Sequence, residues 1–198
     1  MKNSEFYLFI GINDIPWDRM VHWYGRASNF PELFKNLLSE NLAIQQASIN
    51  EIKNKIEHQD GIIMVSPFTL IFLFRTLTIN KTKIEKIIND ILDTILICLK
   101  AAKFQLEFYS KLPIGNNIKS IEELLSEKYL WKEFESAEQD EINWEEYNYR
   151  GEYYYWLDYT IDIVRFFTPV IDPFCINKFY VEKAREVRFI ANSPINYI

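Results

Sequence analysis

Between positions 80 and 111 the chain reads NKTKIEKIINDILDTILICLKAAKFQLEFYSK. Ile84, Ile87, Ile88, Ile91, Ile95, Leu99, Ala102 and Leu106 recur at steps of three and four, which lines them along one face of a helix. Lys, Glu and Asp occupy the opposite face, so the abundant β-branched Ile do not argue for a strand. Asn80 is placed to cap the start, and Pro113 with Gly115 ends it. A helix over 81–110 spans roughly 45 Å.

Other segments carry the same period and mark their own ends. In NFPELFKNLLS, Pro31 suits a first helical turn and Leu33, Phe34, Leu37 and Leu38 form a face. NLAIQQASINEIKNKIEH places Leu42, Ile49, Ile52 and Ile56 together. Ser66-Pro67 supplies a cap and a first-turn proline for an apolar helix ending near Leu77. Ser120-Ile121-Glu122-Glu123 has the form of a capping box and predicts a helix through about Lys132. From Glu152, Trp156, Tyr159 or Thr160, Ile163 and Phe167 share a face, and Pro169 closes that helix. Asp172-Pro173 opens a last one carrying Ile176, Tyr180, Ala184, Val187 and Ile190. FYLFIGI at 6–12 is compatible with one short N-terminal strand, for which the sequence offers no partner. The expected fold is all-α, built of stacked antiparallel helical hairpins, either HEAT-like or an irregular bundle. No exact internal repeat is legible. One helical domain over 1–198 is expected, with a HEAT-like part at 1–112 and an acidic aromatic segment with C-terminal helices at 113–198.

Composition supports a folded chain: 198 residues, 48% hydrophobic and 16% aromatic, with only five Gly and seven Pro. Cys98 and Cys175 match no metal or redox spacing and read as free thiols in a reducing compartment. The N-terminal apolar run is too short and too little basic for a signal peptide. The most apolar window, GIIMVSPFTLIFLF at 61–74, is too short to span a bilayer. The expected location is cytoplasmic, away from the membrane.

Charge adds a local feature. The net charge is −6, yet residues 132–162 hold ten acids against two bases, while the rest carries eighteen acids against twenty. Within that acidic stretch, EINWEEYNYRGEYYYWLDY at 141–159 contains six Tyr and two Trp. The part from Glu152 onward fits a core-facing helix, whereas EQDEINWEEYNYRG shows no clean period. Two readings follow: an aromatic loop folded onto the helices, or a surface for a basic partner, since Tyr and Trp anchor interfaces and carboxylates pair with Lys and Arg. The residues such a surface draws on are Glu133, Glu138, Asp140, Glu141, Trp144, Glu145, Glu146, Tyr147, Tyr149 and Tyr153. The same field opposes nucleic-acid phosphates.

Candidate chemistry centres on the two His. Asp18, His22 and Arg26 are spaced by four, and a helix over 16–24 would let Asp18 orient His22 as a general base. A nucleophile elbow and a glycine-rich phosphate loop are both lacking, and a structural polar cluster is the plainer explanation of the spacing. His58, in EHQDGI, suits a helix end, and HxE, HxxxH and HExxH spacings do not occur. The sequence gives no reason to expect a metal or a cofactor.

Two stretches carry a resemblance. IPWDRMVHWYGRASNFPELFKNLLS at 15–39 leads an HWYGRA-like turn into an FPELL-like helix. NKIEHQDGIIMVSPFTLIFLFRTL at 54–77 looks like a helix–HQG–proline–apolar-helix hairpin, with Asp60 standing between Gln59 and Gly61. Together they resemble a bacterial family of HEAT-like helical proteins associated with polymorphic toxin systems as immunity proteins, over about the first 80 residues. The resemblance implies a non-catalytic protein that occludes a toxin domain; the acidic segment adds that the toxin domain is basic. A small hydrolase-type enzyme using Asp18 and His22, and a helical adaptor that assembles with copies of itself, are the other two readings.

Overall fold

A computed structural model of the chain describes residues 3–79, 85–109, 118–147 and 155–194. It is all-α, with helices α1 (Ser4–Phe9), α2 (Phe30–Leu37), α3 (Leu42–Ile56), α4 (Ser66–Ile79), α5 (Glu85–Tyr109), α6 (Ala137–Tyr147), α7 (Tyr155–Phe166), α8 (Thr168–Ile171) and α9 (Val181–Asn192). Two minimal antiparallel hairpins interrupt the helices: β1 (Val21–His22) with β2 (Gly25–Arg26), and β3 (Glu57–His58) with β4 (Gly61–Ile62).

The long helix α5 lies at the centre and packs against α3, α4, α7 and α9. Its periodic face, from Ile87 through Leu99 to Leu106, is buried, each large side chain contributing about 1.5–3 kcal/mol to burial. Ile84 lies outside the described residues. Cys98, on α5, has no exposed surface, and burial raises its thiol pKa. Asp93 ties three helices together, taking Lys53 of α3 at 2.7 Å and Lys183 of α9 at 3.0 Å. Burial pushes its carboxyl pKa up, but the two ammonium groups outweigh that and hold it below the usual range. No helix among the described residues is long and apolar enough to cross a membrane.

The N-terminal run is a helix, α1, and not the short strand its composition allows. With only one face packed, Tyr7 goes inside while Leu8 and Phe9 stay exposed. Arg75 of α4 then donates to the carbonyls of Tyr7 and Ile10 at the end of α1, satisfying acceptors that a helix terminus leaves open. The Ser120 box does not open a long helix either. Residues 121–125 form one 3-10 turn without a side-chain cap from Ser120, anchored by buried Ile121 and Leu124. Glu123 turns back onto the Lys119 N–H, and Ser126 is extended. Asp172-Pro173 likewise starts a 3-10 turn, Asp172–Ile176, and α9 begins only at Val181.

A repeat hidden in the sequence becomes visible in the backbone. His22, Gly25 and Pro31 are each 36 positions before His58, Gly61 and Pro67. The hairpin registers obey the same offset, with Val21 opposite Arg26 and Glu57 opposite Ile62, and each hairpin feeds a proline-started helix, α2 or α4. The two hairpins touch: the Trp23 N–H donates to the Lys55 carbonyl at 3.1 Å, and the Tyr24 hydroxyl meets His58 Nδ1 at 3.2 Å. Gly61 permits the approach, since a Cβ there would lie 3.1 Å from the Trp23 ring and from the His58 carbonyl.

Candidate functional site

The segment following the 121–125 turn is fastened to the first hairpin by two arginines. Arg19, in the 3-10 turn Trp17–Arg19, donates through Nε to the Trp131 carbonyl at 2.8 Å and grips the Glu127 carboxylate with both terminal nitrogens at 2.7 and 2.8 Å. The Trp131 N–H returns a bond to the Arg19 carbonyl at 2.8 Å, and Glu133 lies 3.4 Å from Arg19. The Arg19 hydrogen bond holds the exposed Glu127 carboxyl below its usual pKa.

Arg26 makes the second fastening. Its Nε and Nη2 hold the two Asp140 oxygens at 2.6 Å each, while Nη1 reaches the Asp18 carbonyl and Nη2 also reaches that of Lys132. The side chains of Arg26 and Asp140 are only 10% and 22% exposed, so a bidentate pair of this kind is little screened by water. The Arg26 bond, aided by the Trp131 indole N–H at 3.1 Å, lowers the Asp140 pKa against the opposing effect of burial. The Arg26 guanidinium also lies 5.3 Å from the centre of the Phe134 ring.

These contacts seat α6 beside β1 and β2 and leave a cleft of about 600 Å³ between them. α6 forms where the sequence shows no apolar period, with the Ser136 hydroxyl accepting from the Gln139 N–H at its start. Its cleft-lining positions are Ala137, Asp140, Glu141, Trp144 and Glu145, spaced by three and one as one helical face requires. The hairpin contributes Trp23, Tyr24 and Arg26, and Trp131 and Phe134 complete the wall. Trp131 and Trp144 lie 5.8 Å apart, centre to centre. Tyr24 and Phe134 are 64% and 63% exposed, an unusual display for large aromatics beside carboxylates.

Of the residues a partner surface draws on, Glu133, Glu138, Glu141, Glu145 and Glu146 are exposed, while Asp140 and Trp144 are partly buried. Asp140 is committed to Arg26. Glu138, Glu141, Glu145 and Glu146 make no ion pair among the described residues. Tyr149 and Tyr153 lie outside the described residues, as does the Tyr147 side chain. The aromatic segment thus divides. Trp156 and Tyr159 of α7 belong to the core, and Trp144 belongs to the cleft.

The His-centred cluster separates differently. Residues 17–22 run from a 3-10 turn into a strand and not through one helix, so Asp18 meets Arg26 through its carbonyl. His22 is 3% exposed and its Nδ1 accepts the Tyr24 N–H at 3.0 Å. Burial, then the nearby Lys55 charge, pushes its pKa down to about 4, against a bond to the Arg26 backbone. At neutral pH it is an uncharged turn-stabilising acceptor. His58 lines a separate hollow of about 290 Å³ with Trp23, Asp60, Phe104 and Gln105. Among the described residues, no three His, Cys, Asp or Glu side chains are grouped to hold a metal ion. What the sequence hid was the role of Arg19 and Arg26, whose partners lie more than 100 positions away. In comparison with known proteins, no family model matches the chain, and no curated protein or solved structure is significantly similar to it.

Proposed function

We propose that the protein is a non-catalytic inhibitor of the immunity type, acting in the cytoplasm by occluding a basic toxin domain. The observation that carries this reading is the cleft at α6, where exposed carboxylates stand beside exposed aromatic rings on a rigidly fastened helix. Acidic groups steer a basic partner and select it, while Trp and Tyr anchor it at small entropic cost. The resemblance of residues 15–39 and 54–77 to HEAT-like immunity proteins points the same way, as does the duplicated hairpin-and-proline frame of those two stretches. His22, buried and uncharged, favours no hydrolytic alternative.

The test is purification of the tagged protein from its native host at low and at high salt, alongside a variant carrying Glu141→Lys, Glu145→Lys and Glu146→Lys. A stoichiometric basic protein should accompany the wild type, weaken with salt and be lost with the variant. Binding that survives the charge reversal overturns the reading. A second reading, a self-assembling adaptor, rests on Ile176, Phe179 and Phe189, which are exposed around the start of α9 and along it. It predicts a stable oligomer at low micromolar concentration in sedimentation.

A further inference from the structure

We infer that the cleft receives an arginine side chain of the partner, its guanidinium between Trp23, Tyr24 and Trp144 and its fork on Glu141 and Glu145. This rests on the occlusion reading above and names the group that the surface recognises.

Three observations converge on it. First, α6 turns Asp140, Glu141, Trp144 and Glu145 toward an open cleft, beside the packed face on which Asn143 is buried. Second, the charges in the cleft are unbalanced. Asp140 has its cation in Arg26, but Glu141 and Glu145 make no ion pair among the described residues. They stand one helical turn apart, where like charges repel. A cation bridging them relieves that repulsion. Third, the cleft already accommodates one guanidinium in the proposed manner. Arg26 lies over Phe134 while both its Nε and Nη2 hold a carboxylate.

The same geometry selects arginine over lysine. Flat aromatic walls suit a planar cation, and two separate carboxylates suit a donor fork, whereas an ammonium is a strongly hydrated point charge. The occupant is a side chain of a protein, because it must reach past the exposed Tyr24 and Phe134 rings that would pack against the surrounding backbone.

The test uses a blocked peptide, Gly-Ser-Arg-Ser-Gly, and its counterparts with lysine or citrulline in the central place. Citrulline keeps the shape and loses the charge. Binding is read on the indole N–H resonances of the full chain, assigned with Trp23→Phe, Trp131→Phe and Trp144→Phe. The arginine peptide should shift the Trp23 and Trp144 signals with a dissociation constant on the order of 1 mM. The lysine peptide should bind several-fold more weakly and the citrulline peptide should produce no shift. Glu141→Gln with Glu145→Gln should weaken the arginine peptide about tenfold while leaving the Trp131 signal in place. An equal response to citrulline, a response unchanged in the double variant, or no response at all overturns the inference. If the peptide fails while salt-sensitive capture of a basic protein persists, the arginine pocket falls and the occluding surface stands. If the peptide binds and no basic protein is captured, the pocket stands and the occlusion reading falls.

Discussion

The two hairpins share a frame and differ in nearly everything built upon it. In the first, Gly25 alone takes a positive φ, at 130°, and the turn presents Trp23 and Tyr24. In the second, Gln59 and Asp60 both take positive φ, at 51° and 60°, in a two-residue turn that spares the glycine. At the equivalent histidine, His22 is sealed inside, whereas His58 is exposed and meets the Tyr24 hydroxyl. At the equivalent β2 and β4 positions stand Arg26, which clamps Asp140, and Ile62, which is core. A repeated backbone therefore fixes where a side chain sits, and the elements laid over it decide its chemistry. The first hairpin became one wall of a cleft because the segment from Trp131 to Glu145 was fastened across it.

The largest way to break that asymmetry is Arg26→Ala. Removing one partner of a largely buried pair leaves Asp140 uncompensated and should cost about 3 kcal/mol. Urea denaturation measures the cost, and Trp fluorescence should report loss of the Trp131–Trp144 arrangement. His22 should make stability depend on pH. The folded pKa of His22 is lowered to about 4, so below about pH 6.5 the unfolded chain takes up a proton that the folded chain refuses. The stabilising contribution is complete above about pH 6.5 and falls as pH drops toward 4, by at most roughly 3 kcal/mol. His22→Asn, which keeps an acceptor for the Tyr24 N–H, should reduce the slope of stability across that window, as read by urea denaturation at a series of pH values. The turns give the smallest pair. Gly25→Ala meets no atom within 4 Å, yet its φ of 130° should cost about 2 kcal/mol. Asp60→Gly should instead stabilise by about 0.5 kcal/mol, because it relieves a left-handed conformation. Thermal melts of the two variants should move in opposite directions.

Much of the helical frame was legible in the sequence. The steps of three and four in α5, Pro31 and Pro67 at the starts of α2 and α4, and the core face of α7 all follow from local period and turn chemistry. The site was less legible. α6 carries no apolar stripe because its buried position is the polar Asn143 and the neighbouring face is turned to the cleft, so a periodicity search finds nothing there. The 36-residue frame is concealed because only His, Gly, Pro and one Leu (Leu37 and Leu73) persist from the hairpins into α2 and α4, while Trp-Tyr stands against Gln-Asp. The four-residue spacing of Asp18 and His22 suggested a pair that the strand β1 prevents. Arg19 and Arg26 reach partners across 106 to 114 positions, a range at which local pattern carries no information. Ser120 misled for the opposite reason. Its side chain caps no helix N–H, Glu123 turns back onto the Lys119 N–H, and Ser126 is extended, so the box is never closed and the turn ends at Leu125.

The sealing of Cys98 gives the protein an internal clock. Its sulfur lies in the middle of the helix that α3, α4, α7 and α9 surround, so a thiol reagent reaches it only when that whole assembly parts. Cys175, in the 172–176 turn at the periphery, answers to a smaller and local loosening. Labelling by an excess of such a reagent should therefore proceed in two phases. The faster times the fraying of the C-terminal end, and the slower times the opening of the entire core.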